Sequence, residues 1–148
     1  DAETLIGFAR RIIEGSGLSA EVTLVGTQGK YVNMSIDGKD TSYFVGKHGE
    51  VLNQIQYLLN VISAQQLHNG VRVVLDGNDY RRKREDQLSN LANKIAAEVA
   101  RRGEEAVLDA LPAFERRIIH KTLADNPAVQ TYSEGEEPNR RVVIAPAE

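Results

Sequence analysis

No cysteine and no tryptophan occur among the 148 residues, and there is a single methionine. Without thiols the chain has no disulfide framework, no thiolate metal site and no cysteine nucleophile, which fits a reducing compartment. Aromatic residues make up only 5%, and no apolar run approaches the ~20 residues that a membrane-crossing helix needs. The first residues, Asp1-Ala2-Glu3-Thr4, contain no basic region leading into an apolar stretch. No signal peptide is therefore expected, the start at Asp1 reads as that of a fragment, and a cytoplasmic protein is the expectation. Net charge is only −3, too small for a disordered polyelectrolyte. What is present is a globular composition, 41% apolar and 26% charged, sized for one ordinary domain or two small ones.

The charge is unevenly distributed. Residues 1–76 hold 6 Lys and Arg against 8 Asp and Glu, whereas residues 77–148 hold 12 against 13. The second half thus carries twice the cations, clustered as Arg81-Arg82-Lys83-Arg84, Arg101-Arg102, Arg116-Arg117 with Lys121, and Arg140-Arg141. Such clusters are local basic faces that suit a polyanion.

Hydrophobic periodicity orders the chain. Leu5, Ile6, Phe8, Ala9, Ile12 and Ile13 recur at helical spacing until Gly15-Ser16-Gly17. Ala20 to Val25 and Tyr31 to Ile36 alternate as strands, with a turn at Gly26-Thr27-Gln28-Gly29 and a second at Asp37-Gly38. After the short apolar piece Tyr43-Phe44-Val45, Val51, Leu52, Ile55, Leu58, Leu59 and Ile62 line one face of a helix. Val71 to Leu75 is a strand. At Asp76-Gly77-Asn78-Asp79 the composition changes, which sets domains of residues 1–76 and 77–148. Asn78 or Asp79 caps a long helix with Leu88, Leu91, Ile95 and Val99 on one face, and Gly103 ends it. Ala106 to Leu108 reads as a short strand, and Pro112 as the first position of a second helix closed by Asn126-Pro127. Val129 to Ser133 and Arg141 to Ile144 are strands. The fold class is α+β, in two small domains linked by the long helix. Most aromatic residues fall at apolar positions, where core packing is their expected role.

Gly46-Lys47-His48-Gly49 stands between a short element and a long amphipathic helix. Glycine at both ends lets the backbone approach a ligand, the helix behind it points free N–H groups outward, and Lys47 adds a cation. Such a loop clamps a nucleic-acid backbone. An ordinary glycine-rich helix–helix turn is the plainer alternative. Arg116 and His120, four apart, share a helix face with Arg117 and Lys121 beside them, and Arg and imidazole both donate to phosphate oxygens. By spacing alone, a solvated face with a surface histidine explains this pair better; its context in the chain shifts the reading. Arg81 to Arg84 place four cations in the first turn of a helix, against its macrodipole. Either they contact a polyanion or they pair with acids of the other domain.

These residues resemble a known family. Gly46-Lys47-His48-Gly49-Glu50, Leu52, Gln56-Tyr57-Leu58 and Asn60 are similar to the KH domain of the bacterial Jag proteins, also called SpoIIIJ-associated or KhpB. Glu115 to His120, Ser133-Glu134-Gly135 and Asn139 to Ile144 resemble their R-three-H domain, with Arg116 and His120 as the signature pair. The likeness covers nearly the whole chain, without the N-terminal Jag domain that members usually carry. It implies a type II KH arrangement, binding of single-stranded RNA (or single-stranded DNA), and a protein partner that is a small standalone KH protein or a second copy. Gly46, Lys47, His48 and Gly49 carry over as the backbone clamp, and Arg116 and His120 with Arg117 and Lys121 as the second contact. Arg81, Arg82, Arg140 and Arg141 complete the candidate RNA-binding set. His48 is less basic than Lys or Arg, so the clamp is expected to weaken and to respond to pH.

Two other functions compete with RNA binding. A metal-dependent nuclease could draw on Asp76, Asp79, Glu85, Asp86 and a histidine. Yet His48, His68 and His120 are scattered, and there is no G-x-S-x-G elbow or Walker lysine. The expectation is therefore no enzyme, no cofactor and no metal. A scaffold that uses the KH fold for dimerisation is the other.

Overall fold

Leu5, Ile6, Ala9 and Ile13 fall on one stripe, and in the computed structural model, which describes residues 1–148, they form the buried face of helix α1, Ala2–Gly15. The chain divides into two compact units, Asp1–Arg81 and Arg82–Glu148. The first continues with β1 (Glu21–Gln28), β2 (Tyr31–Asp37), α2 (Thr41–Val45), a single 3-10 turn (Lys47–Gly49), α3 (Glu50–Gln66) and β3 (Arg72–Gly77). The strands form one sheet in the order β1-β2-β3, with β1 and β2 antiparallel and β2 and β3 parallel. Val22, Val32, Met34, Ile36, Val73 and Leu75 point to the face shared with α1 and α3, where Leu5, Leu52 and Leu59 are fully buried. Each such side chain stabilises the unit by roughly 1.5–3 kcal/mol.

Of the turn expected over Gly26 to Gly29, only Gly29 turns the chain, together with Lys30; Gly26, Thr27 and Gln28 are strand. β1 runs on to Gln28, and a bulge between Leu24 and Gly26 leaves Val25 outside the pairing register. A bulge absorbs one extra residue and restores the alternation beyond it. Along the outer edge of β3, α3 supplies the missing hydrogen-bond partners. Ser63 donates to the Val71 carbonyl at 2.7 Å, Asn60 both accepts from and donates to Val73 at 2.7 and 3.2 Å, and Gln56 accepts the Leu75 N–H at 2.9 Å. An edge satisfied in this way is closed to a further strand.

Helix α4, Tyr80–Arg102, starts in the first unit and continues into the second. Asn78 and Asp79, which precede it, both take left-handed φ values, 56° and 54°. Asp76 contributes at this helix start, its Oδ1 accepting the N–H groups of Gly77 (2.8 Å) and Arg81 (3.2 Å). The second unit adds β4 (Ala106–Val107), α5 (Ala113–Leu123), β5 (Val129–Glu134) and β6 (Arg141–Pro146), paired antiparallel in the order β4-β6-β5. Pro112 precedes α5 in extended conformation rather than occupying its first position. Leu88, Ala92, Ala96 and Val99 of α4 pack with Ile119, Leu123, Val142 and Ile144. Leu91, expected on that face, is 42% exposed, since the i, i+4 series 88-92-96 carries the contact. No helix is long and apolar enough to cross a membrane.

Aromatic placement corrects the sequence reading more broadly. Phe44 is buried, but Tyr31, Tyr43, Tyr57, Phe114 and Tyr132 are exposed. A tyrosine can sit at an apolar position in the pattern and still present its ring to water, because its hydroxyl needs no buried partner there.

Candidate nucleic-acid interface

The Gly46 to Gly49 loop is built by positive φ angles: 72° at Gly46, 54° at His48 and 75° at Gly49. At the two glycines the backbone also approaches its neighbours too closely for a side chain. A Cβ on Gly46 would lie 2.6 Å from Val51 Cγ2, and one on Gly49 would lie 2.5 Å from Tyr80 Cε2. Gly49 is thus wedged against the ring that opens α4, and it also forms the left-handed N-cap of α3. Lys47 and His48 stand outward and exposed, in front of the first-turn N–H groups of α3. Glu50, in that same first turn, offsets part of the positive field. Val51, Ile55 and Leu58 continue along α3 as the lining of a depression of about 680 Å³. Tyr43, one turn of α2 before Gly46, is 66% exposed.

The basic run at the start of α4 separates by direction. Arg81 turns inward: Nε donates to the Leu75 carbonyl (2.7 Å), Nη1 to Asn53 (2.8 Å) and Nη2 to Gln56 (2.9 Å). Burial pulls its guanidinium below the ordinary arginine value, opposed by the Asp76 charge. It braces α3, β3 and α4 within the first unit, a use that the polyanion expectation for this residue did not foresee. Arg84 gives Nε and Nη2 to the two oxygens of Glu115, both at 2.9 Å, a bidentate pair with side chains only 12% and 3% exposed. Arg82 and Lys83 are exposed.

A similar sorting occurs on α5. Arg116 is buried, with its guanidinium donating to the Leu111 carbonyl and to Glu137. His120 is held through both ring nitrogens, Nδ1 with Thr131 Oγ1 and Nε2 with Ser133 Oγ, each at 2.8 Å. Burial first, then the charges of Arg116 and Arg140, lower the His120 pKa, so at neutral pH it is an uncharged imidazole. Arg140 donates to the carbonyls of Gly135 (2.6 Å) and Ser133 (3.3 Å), and Arg141 donates to Leu108 (3.4 Å). The Arg116 and His120 pair therefore fastens α5 to the loop and strand beside it. Besides the small Ala113, the side chains of α5 that face solvent are Phe114, Arg117 and Lys121, spaced i, i+3 and i+7. Phe114, expected with most aromatic residues to pack in the core, is 39% exposed beside the two cations.

A pH dependence of stability follows from His120. In the unfolded chain a histidine titrates near 6.5. With the folded value lower, the unfolded state binds more protons between the two values. Stability is fully present above about pH 6.5 and falls as pH drops toward the folded value. Urea unfolding across this window is expected to show a smaller decline for His120→Gln than for the native chain; equal declines would remove His120 as the cause.

Residues 86–146 match the R-three-H domain. Over 141 residues the chain is 36% identical to RNA-binding protein KhpB of Lactiplantibacillus plantarum, covering 95% of this chain and 44% of that protein. With the protein of the same name from Clostridium symbiosum the identity is 32%, covering 95% and 64%. With that from Bacillus subtilis it is 33% over 140 residues, covering 93% and 67%. The chain thus spans between 44% and 67% of the length of these relatives.

Proposed function

The chain belongs to the KhpB family, and on that premise we propose that it binds single-stranded RNA as a non-catalytic cytoplasmic regulator, through a KH module in residues 1–76 and an R-three-H module in residues 77–148. The carrying observation is the Gly46 to Gly49 loop, whose two glycines admit no side chain and whose Lys47 and His48 stand exposed before the α3 N-terminus. Supporting the KH assignment are the order of elements around the loop and the mixed sheet, one pair antiparallel and one parallel. The RNA backbone rests on the loop, with about four nucleotides along the clamp. Bases lie toward Val51, Ile55 and Leu58.

In the second module, Arg117 and Lys121 take the phosphates, with Phe114 beside them, and exposed Arg82 adds charge. Arg116, His120, Arg140 and Arg141 position that surface. Lys47→Asp with His48→Asp is expected to lower affinity for single-stranded RNA at least tenfold, because it replaces attraction by repulsion at the clamp. Arg117→Ala with Lys121→Ala should weaken binding less and reduce the salt slope. Unchanged affinity in the loop variant would reject the clamp.

The exposed strip Val51, Tyr57 and Leu58 favours an alternative use of the same unit, pairing with a small standalone KH protein or a second copy. In that case Leu58→Asp abolishes association in sedimentation measurements, and the loop variant leaves RNA affinity untouched.

A further inference from the structure

Beyond the clamp, and resting on the RNA-binding reading above, we propose that the open face of the first sheet is a second contact surface for single-stranded RNA, with Tyr31 as a stacking ring and Arg72 and Lys30 as its phosphate cations. The α1 and α3 helices share a core with one face of this sheet only. On the other face the register sets three rows: Gln28, Tyr31 and Arg72; Gly26, Asn33 and Val74; and Thr23, Ser35 and Asp76. Tyr31 is 54% exposed and lies directly opposite exposed Arg72 on the neighbouring parallel strand. Lys30 flanks the ring at the turn, held there by donation to the Asn69 carbonyl at 2.5 Å.

Charge runs along the strands. The Tyr31 end carries Lys30 and Arg72, whereas the far end carries Glu21 opposite Asp37, and Asp76. A polyanion therefore meets this face at the ring. Gly26 adds no side chain to the next row, and a Cβ there would meet nothing within 4 Å, so the surface beside the ring is open. Asn33 and Ser35, an amide and a hydroxyl suited to base edges, line an adjoining depression of about 360 Å³ with Val25, Met34 and Val74, and Asp76 and Asp79 make its far side acidic, which confines phosphates to the Tyr31 end. An aromatic ring between cations, next to uncharged hydrogen-bonding groups, is the composition of a base-stacking platform. A protein strand cannot add at the β3 edge beside Arg72, since Ser63, Asn60 and Gln56 already close it.

This surface is separate from the clamp. A Cβ on Gly77, at the far end of β3, would meet Thr41 and Val45 of α2, the helix that leads into the loop. Arg72 lies five residues away along the strand, about 17 Å. A short RNA on the loop does not reach Tyr31, whereas a longer strand does.

The test is fluorescence anisotropy on the full chain, with labelled single-stranded RNAs of about four and about fifteen nucleotides. Tyr31→Ala is expected to weaken the longer RNA about 5- to 100-fold while leaving the shorter one unchanged. Tyr31→Phe should restore affinity, because the ring and not the hydroxyl stacks. Arg72→Gln should weaken the longer RNA and reduce its salt slope by about 0.7. Both side chains are exposed, so matching thermal melts will verify the fold. Native affinity for the longer RNA in Tyr31→Ala and Arg72→Gln would overturn the proposal, and if Lys47→Asp still lost binding, the clamp would stand without it. A loss of self-association in Tyr31→Ala, with RNA affinity unchanged, would likewise overturn it and assign the face to a protein contact.

Discussion

Gly49→Ala is expected to destabilise the first unit by roughly 2–5 kcal/mol and to remove the RNA binding proposed for the loop. Two costs combine. An alanine at φ 75° is strained by about 1–2 kcal/mol, and its methyl group would sit 2.5 Å from Tyr80 Cε2. Overpacking of that kind adds about 1–3 kcal/mol as ring and loop shift apart. Gly17 separates the two, since it has the same φ of 75° with nothing within 4 Å of an added Cβ. Gly17→Ala should therefore lose only the strain. Urea midpoints measured side by side decide the matter: equal losses at the two positions would mean that the Tyr80 contact contributes nothing.

The second large effect belongs to Glu115. Its carboxylate is almost wholly buried and takes both hydrogen bonds from Arg84. Glu115→Ala would strip a largely desolvated guanidinium of this partner, a loss of about 3–5 kcal/mol. Combining it with Arg84→Met should recover much of that loss, because an apolar side chain of similar length fits the same space without a charge to compensate. If the double variant is as unstable as Glu115→Ala alone, packing rather than the charge pair sets the stability at this point.

These two sites also show what periodicity could and could not reveal. Strand alternation was readable: Val32, Met34 and Ile36 point inward and Asn33 and Ser35 outward, and the same alternation carries Tyr31 outward against the core role expected of the aromatic residues. The G-x-x-G loop was equally readable, because two glycines between helical patterns need a backbone reason. The direction of the arginines was partly legible as well. Arg116, Ile119, His120 and Leu123 fall at i, i+3, i+4 and i+7, the spacing of a single buried stripe, and the structure turns that stripe inward. Arg81 and Arg84, three apart, likewise leave the more exposed sides to Arg82 and Lys83. Sequence alone did not supply the partners. Asn53, Gln56, Glu115 and Glu137 lie 21 to 31 positions away from the arginines they hold, and no local pattern links them. The bulge at Val25 was hidden for a related reason, since it depends on how β1 pairs with β2.

Affinity of the native chain for a single-stranded RNA pool, measured at several salt concentrations beside a duplex of the same length, bears most directly on the proposed function. A clamp that holds three or four phosphates requires a log–log slope of about −2 to −3, with single strands preferred over duplex. A flat salt response, or equal affinity for the duplex, would contradict it and turn attention to the exposed strip on α3 as a protein-pairing surface.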